Sequence, residues 1–194
     1  FLRNYIRLFG EFYVLDRDGN DITSLFTPKL KQLFILIMLH SSRGGFGISS
    51  KDLTRMIWGN DNPSKSTKSL RSVSILKLRK ILERIDTVEV LFTANRYILQ
   101  LSEDVYCDYL ACLDWLKDKR VRTQPDFEYF YDIISKGEVF KGESFDWMDD
   151  FKSYICNSTV DVLSRVIDTY SIEDEADRVI QIADQILLND PCNE

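Results

Sequence analysis

The sequence predicts an α+β fold in two parts. A small antiparallel sheet, three helices and a C-terminal β-hairpin are expected over residues 1–102, and an all-helical part over residues 103–194. Short aromatic and β-branched segments separated by turn residues open the chain, and helical apolar periods follow. The charge also changes sign: residues 1–100 carry 16 Lys+Arg and 9 Asp+Glu (+7), whereas residues 101–194 carry 9 and 22 (−13). This contrast predicts two domains with different partners.

The opening segment has the composition of short strands. Strands are predicted over residues 5–9 and 12–15, on either side of Gly10, with turn residues at 16–20 and a third short strand near Ile22. Together they would form the N-terminal sheet.

Three helices and a hairpin are predicted next, each helix with a polar cap before its first turn. The first helix begins at Pro28 behind Thr27 and ends near His40, the second lies between Ser49 or Ser50 and Gly59, and the third covers about residues 65–85 behind Ser64. Strands at 88–92 and 97–101 flank a turn in which only Asn95 readily adopts a positive φ.

The third helix carries the strongest functional signal, because residues 65–84 contain seven basic residues and one acidic residue. On a helical wheel the packing arc contains Leu70, Leu78, Ile81, Leu82 and Ile85, with Ile75 at its edge. The opposite arc contains Lys65, Ser69, Ser72, Lys77, Lys80 and Arg84, with Lys68 and Arg79 at its border. For a lone helix, a solvated charged face is the simpler explanation. A short helix, a loop, a basic helix and a hairpin in this order are instead typical of a winged helix-turn-helix, whose basic helix enters the DNA major groove.

The residues of the first part resemble a known family. The motifs Thr27-Pro28-Lys29-x-x-x-Leu33, Leu53-x-x-x-Ile57-Trp58, Ser72-Val73-x-Ile75-x-Lys77-Leu78-Arg79-Lys80-x-Leu82 and Thr93-x-x-Arg96-Tyr97-x-Leu99 are similar to the winged-helix output domain of OmpR-type response regulators. This resemblance places DNA contacts at Ser69, Ser72, Ser74, Lys77 and Arg79 of the third helix and at Thr93, Asn95 and Arg96 of the wing. The wheel, however, puts Ser74 on the buried arc. Lys65, Lys68, Arg71 and Lys80 complete the predicted DNA-binding set.

The second part resembles the bacterial transcriptional activation domain, a TPR-like helical domain, of SARP-type regulators. The supporting residues are Asp108, Gly137-x-x-x-x-Gly142, Trp147, Ala183 and Asp190-Pro191-x-x-Glu194. From the apolar spacing alone we expect five helices, with stripes beginning at Tyr109, Phe127, Trp147, Val162 and Val179. We also expect the natural protein to continue with more helices. In that case the last stripe, Val179, Ile180, Ala183, Ile186 and Leu187, would self-associate or remain an exposed patch.

The predicted function is sequence-specific DNA binding for transcriptional regulation in the bacterial cytoplasm, without enzymatic activity. The third helix (about 65–85) would occupy the major groove of double-stranded DNA, and the wing at 92–97 would lie on the backbone or the minor groove. The helical part would bind RNA polymerase, another protein or a second protomer. The alternative is a protein-interaction scaffold whose winged helix no longer binds DNA. It is favoured by Leu76, where the family has a basic residue, and by Arg96, where the family has Gly.

Other sites are disfavoured by the composition. His40 is the only histidine and is expected to cap a helix end or to lie on the surface. With one histidine and scattered cysteines, no metal site is predicted, and no cofactor is expected. Asp146, Asp149 and Asp150 fit a solvated helix face. Cys107, Cys112, Cys156 and Cys192 fit free thiols in a reducing cytosol. The longest near-continuous apolar run, residues 33–39, is too short to span a membrane, so no membrane contact is expected.

Overall fold

The chain packs as two compact units in a computed structural model that describes residues 2–42, 44–59, 61–118, 120 and 122–190. The first unit contains the residues up to 7 and residues 13–107, and the second contains residues 8–12 and the residues from 108 onward. Residues 8–12, predicted within the first domain, therefore pack with the second unit. Cys192 and the predicted motif at 191–194 lie outside the described residues.

The α+β class is confirmed, with seven α-helices and two three-stranded sheets among the described residues. The first unit consists of β1 Tyr5–Arg7, β2 Tyr13–Leu15, α1 Pro28–Ser42, β3 Ile48–Ser49, α2 Ser50–Trp58, α3 Lys65–Leu82, β4 Val88–Thr93, β5 Arg96–Leu101 and β6 Tyr106–Cys107. The second unit contains α4 Asp108–Lys117, α5 Gln124–Ile134, α6 Asp146–Ile167 and α7 Ala176–Asn189.

The N-terminal sheet is mixed, so the prediction of a purely antiparallel sheet is wrong. β1 pairs antiparallel with β2, as expected, but its other edge pairs in parallel with β6, from much later in the chain. Tyr5 lies opposite Tyr106, and their rings stack with centroids 5.4 Å apart. The predicted third strand near Ile22 is reduced to a single antiparallel bridge, between Asp21 and Leu15, and the Ile22 amide donates to the Val14 carbonyl at 3.0 Å. A 3₁₀ helix, Thr23–Leu25, follows the bridge, with the Asp21 carboxylate accepting the Thr23 amide at 2.9 Å.

Helix α1 forms the core of the first unit. Every residue from 33 to 39 is buried, as expected for a helix that is apolar all round. Its first turn begins at Pro28, as predicted, where the proline lacks an N–H that would have no partner. Among the described residues, no helix is both long and apolar enough to cross a membrane.

The prediction of two separate helices in this region is wrong, because both belong to the single helix α6. The stripes that begin at Trp147 and Val162 belong to a single helix of 22 residues. No Gly or Pro occurs within it, so nothing in the sequence breaks the backbone hydrogen bonding. The described part of the second unit accordingly has four α-helices instead of five.

Helix α7 packs through a residue that the predicted stripe omitted. Ile182 is its buried side chain, whereas Ile180 and Leu187 of the stripe are exposed, together with Leu188. Val179, Ala183 and Ile186 are half-buried. The packing face is therefore shifted by about one residue, and an exposed apolar patch remains on the other side, as expected.

Segment 8–12 is held in the second unit by a buried carboxylate and by a close backbone approach. Asp108 is fully buried, and its two oxygens accept the amides of Leu8 at 2.7 Å and Phe9 at 3.1 Å. Burial raises the pKa of the Asp108 carboxyl, although these amide donors oppose the shift. Gly10 has a φ of 70°, and a Cβ there would lie 2.3 Å from the Lys136 carbonyl oxygen. The position of segment 8–12 therefore depends on the glycine at position 10 and on the carboxylate of Asp108.

This arrangement argues against an independent fragment of residues 1–101. Such a fragment would lack β6 and also the carboxylate that satisfies the Leu8 and Phe9 amides.

Replacing Asp108 should destabilise the protein. In Asp108→Asn, one of the two backbone amides faces an NH₂ group instead of an acceptor, and a buried unsatisfied donor costs about 1–3 kcal/mol. Urea unfolding should report a loss of that size. The matched variant Asp114→Asn, at an exposed position of the same helix, should change stability by less than about 0.5 kcal/mol. Equal stabilities for the two variants would contradict the assigned role of Asp108.

Candidate nucleic-acid interface

Local capping sets the ends of α2 and α3. The Ser49 hydroxyl accepts the Asp52 amide at 3.0 Å, and Gly59 ends α2 with a φ of 67°. The Ser64 hydroxyl accepts the Thr67 amide at 3.2 Å and begins α3. These caps are the ones predicted from the sequence, because capping depends on residues within one turn.

One side of α3 packs and the other is open to solvent. The buried residues are Ser74, Ile75, Leu78, Ile81 and Leu82, and the exposed predicted residues are Lys65, Lys68, Ser69, Ser72, Lys77 and Lys80. The prediction that Leu70 packs is wrong, since its side chain is exposed. No residue of α3 before Ser74 is buried, although Thr67 and Arg71 are half-buried.

The lysines of α3 are unengaged. Within the described residues, Lys65, Lys68, Lys77 and Lys80 form no ion pair and no side-chain hydrogen bond. Helix α3 itself contains no Asp or Glu. Four ammonium groups are thus available to an external anion without first breaking an internal contact.

The two predicted arginines of α3 have internal partners instead. Arg71 Nη1 donates to the Ser50 carbonyl at 3.1 Å and to the Thr54 hydroxyl at 2.8 Å, which joins α3 to α2. Arg79 Nε donates to the Val90 carbonyl at 2.9 Å, which joins α3 to β4. Both side chains are half-buried. They therefore position α3 against its neighbours.

The predicted hairpin is confirmed, with Thr93 and Arg96 as its last pair. Both turn residues have positive φ, 47° at Ala94 and 60° at Asn95, so the turn is of the type I′ class. Asn95 Oδ1 accepts the Ser50 hydroxyl at 2.7 Å, and Arg96 Nε donates to the Phe46 carbonyl at 3.2 Å. Of the three predicted wing contacts, only Thr93 carries an exposed side chain with no contact of this kind.

A third strand beside the hairpin was missed by the sequence reasoning. β3 pairs antiparallel with β5, with Ile48 opposite Tyr97. Gly47 has a φ of 75°, and a Cβ there would lie 2.2 Å from the Tyr97 carbonyl oxygen. The glycine cluster before residue 48 was the available signal, since a strand glycine often marks a close backbone approach.

His40 and the three aspartates that the composition disfavours as a site lie on helices α1 and α6. His40 Nδ1 lies 3.0 Å from the Leu36 carbonyl of its own helix. Asp146, Asp149 and Asp150 are exposed on α6. No group of three or more His, Cys, Asp or Glu in the described ranges could hold a metal ion.

The second unit contains a cleft of about 470 Å³, bordered by Trp115, Phe127, Tyr154 and three arginines. The Arg122 guanidinium lies 3.9 Å from the centroid of the Trp115 ring. Arg120 and Arg122 pair with Asp118, and Arg165 pairs with Asp161. These pairs neutralise most of the positive charge of the cleft, unlike the lysines of α3.

No family model and no curated protein matches the chain. The interpretation of this interface therefore depends on its geometry.

Replacing Arg71 and replacing Lys68, which lies three positions earlier in α3, should have different effects on the free energy of unfolding. Arg71→Ala removes the donor to Ser50 and Thr54 and should lower the free energy of unfolding by about 1–3 kcal/mol. Lys68→Ala removes the same charge from an exposed position and should change it by less than about 0.5 kcal/mol. Urea unfolding of both variants would measure the difference. Comparable losses would show that Arg71 does not hold α2 against α3.

Proposed function

We propose that the chain is a sequence-specific DNA-binding transcriptional regulator. In this proposal the first unit is an OmpR-type winged helix-turn-helix, and the second is a TPR-like activation domain of the SARP type. The observation that carries the proposal is the open face of α3, where Lys65, Lys68, Lys77 and Lys80 are exposed and without internal partners.

The dimensions of α3 suit the major groove. Eighteen residues give a helix about 27 Å long, and a groove about 12 Å wide admits one helix. Ser69 and Ser72 are exposed between the lysines, and their short side chains allow the helix backbone to approach the base edges. Lysines along the face would neutralise phosphates on both sides of the groove.

The hairpin would act as the wing. Thr93 is exposed at its end, and Arg96 keeps donors beyond its Nε contact to Phe46. Ser50, the first residue of α2, bonds the Asn95 side chain, so the tip and α2 hold a defined geometry. If the hairpin contacts the phosphate backbone or the minor groove, Arg96 would add one cation to the four lysines of α3.

The second unit would bind protein. Residues 101–194 carry a net charge of −13, which repels DNA, and α7 exposes Ile180, Leu187 and Leu188. RNA polymerase, another protein or a second protomer would contact this surface. The cytoplasm is the proposed location.

One observation favours the alternative of a scaffold without DNA binding. Val73 and Leu76 are exposed on the open face of α3, and exposed apolar side chains are typical of protein contacts. The scaffold would bind a protein where the regulator binds DNA, so the salt dependence of DNA binding separates the two functions.

Affinity for duplex DNA should fall steeply with salt. If α3 and the wing together contact about five phosphates, the slope of log K against log[salt] should be about −4 to −5. Fluorescence anisotropy with a labelled duplex at several salt concentrations measures it. A slope near zero, or no binding at low salt, would reject the proposal.

Two lysines of α3 should differ in what they recognise. Lys77→Ala should relax base preference at one position, at a cost of about 1–3 kcal/mol. Lys65→Ala, in the first turn, should weaken binding to all sequences alike and flatten the salt slope by about one unit. Lys117→Ala removes the same charge from an exposed position of α4 and should change neither property. If Lys77→Ala behaves like Lys65→Ala, Lys77 contacts phosphate and does not read bases.

A further inference from the structure

We infer that α3 recognises the methyl groups of thymine through Val73 and Leu76, so that the preferred DNA site carries thymines facing these two side chains. This inference rests on the proposed DNA-binding function and extends it to the class of sequence that is bound.

The apolar side chains lie on the open face of α3. Leu70, Val73 and Leu76 are 49%, 48% and 55% exposed. At about 100° per residue, Leu76 lies about 20° and Val73 about 80° around the helix axis from Lys65. The other side chains of this sector, Ser69 and Lys80, fall between these two. Leu70, about 140° from Lys65, lies at the border of the open face.

Exposed leucine and valine at this place are not required by folding. The helix is covered on its other side by Ser74, Ile75, Leu78, Ile81 and Leu82, which are buried. Alanine would be a better helix former than valine at an exposed position. The two side chains are therefore available to a ligand, and the open face offers an apolar strip bordered by cations.

Thymine is the base that suits this strip. Its C5 methyl is the one methyl group on the major-groove edges of the four bases, since guanine, cytosine and adenine present hydrogen-bond donors and acceptors there and carry no methyl. An isobutyl or isopropyl group against a polar edge would displace water from it without replacing the hydrogen bond. The same side chain against a methyl buries apolar surface on both partners.

DNA complements both the lysines and the apolar side chains of the open face of α3 better than a protein surface does. Lys65, Lys68, Lys77 and Lys80 surround Val73 and Leu76 and have no internal carboxylate partner in the described chain. A protein covering the apolar strip would have to supply several acidic groups around an apolar centre. A duplex presents this arrangement in every T-containing site, with phosphates at both edges of the groove and methyl groups on its floor.

The effect is measurable base by base. Burying one methyl group is worth about a fourfold change in affinity. Replacing dT by dU removes this methyl and leaves every hydrogen-bonding group of the base in place.

The experiment uses the full chain and a duplex selected from a randomised pool. Each dT of the selected site is replaced singly by dU, and affinity is measured by fluorescence anisotropy at fixed salt. We expect about fourfold losses at one or two positions and no change elsewhere. With Leu76→Ala or Val73→Ala, the loss at one of these positions should disappear while the salt slope stays unchanged. Leu70→Ala, at the border of the face, serves as the matched control and should retain every loss.

The outcomes separate the inference from the function on which it rests. Salt-dependent binding with no dU position changing affinity by more than about 1.5-fold overturns the inference and leaves the proposed function standing. Absence of salt-dependent binding overturns both. If sedimentation shows self-association that Leu76→Ala abolishes, while dU has no effect, the strip is a protein contact and the inference is wrong. Urea unfolding of the alanine variants should show the folded state retained in all three, because the three positions are exposed and replacement by alanine, a good helix former, leaves no cavity.

Discussion

Seven consecutive buried residues in α1, from 33 to 39, set the constraint on which the first unit depends. A helix that is apolar on every side must be covered on every side, because any face left open would return apolar surface to water. Helices α2 and α3 and strands β3 and β5 provide this cover. The hairpin is also tied to α1 by the Leu99 amide, which donates to the Ser41 hydroxyl at 2.9 Å. The recognition surface we propose therefore stands on elements whose positions follow from covering one helix.

The basic residues of α3 serve two different purposes. Arg71 and Arg79 reach inward and bond to α2 and β4, whereas the lysines point to solvent without partners. The planar guanidinium has several donors in a fixed geometry and suits half-buried contacts to carbonyl and hydroxyl groups, whereas an ammonium on a flexible stem suits a hydrated surface. The net charge of the helix alone would overstate the charge that is open to an external anion.

The second unit depends on groups that local sequence patterns do not connect. Asp108 accepts two amides from residues about 100 positions earlier, and Gly10 passes so close to Gly137 that a Cβ on Gly137 would lie 2.8 Å from the Gly10 Cα. Burial of a carboxylate costs free energy unless its oxygens receive hydrogen bonds, and here the donors come from segment 8–12. The motif Gly137-x-x-x-x-Gly142 thus has a structural reason at its first position, apart from any family resemblance.

The sequence by itself determined the α+β class, the starts of α1, α2 and α3, the hairpin at 88–101 and the exposure of the α3 lysines. These features depend on caps, turns and helical periodicity, which involve residues within a few positions of one another. Only the tertiary structure decided the parallel addition of β6 to β1, the pairing of β3 with β5 and the partner of segment 8–12. It also decided that Leu70 is exposed, that Ile182 is buried and that Arg71 reaches α2. Each of these outcomes depends on which distant element covers a given surface. The apolar periodicity of one helix predicts that one of its faces will be buried. It does not predict which other element buries that face or how far along the helix the burial extends.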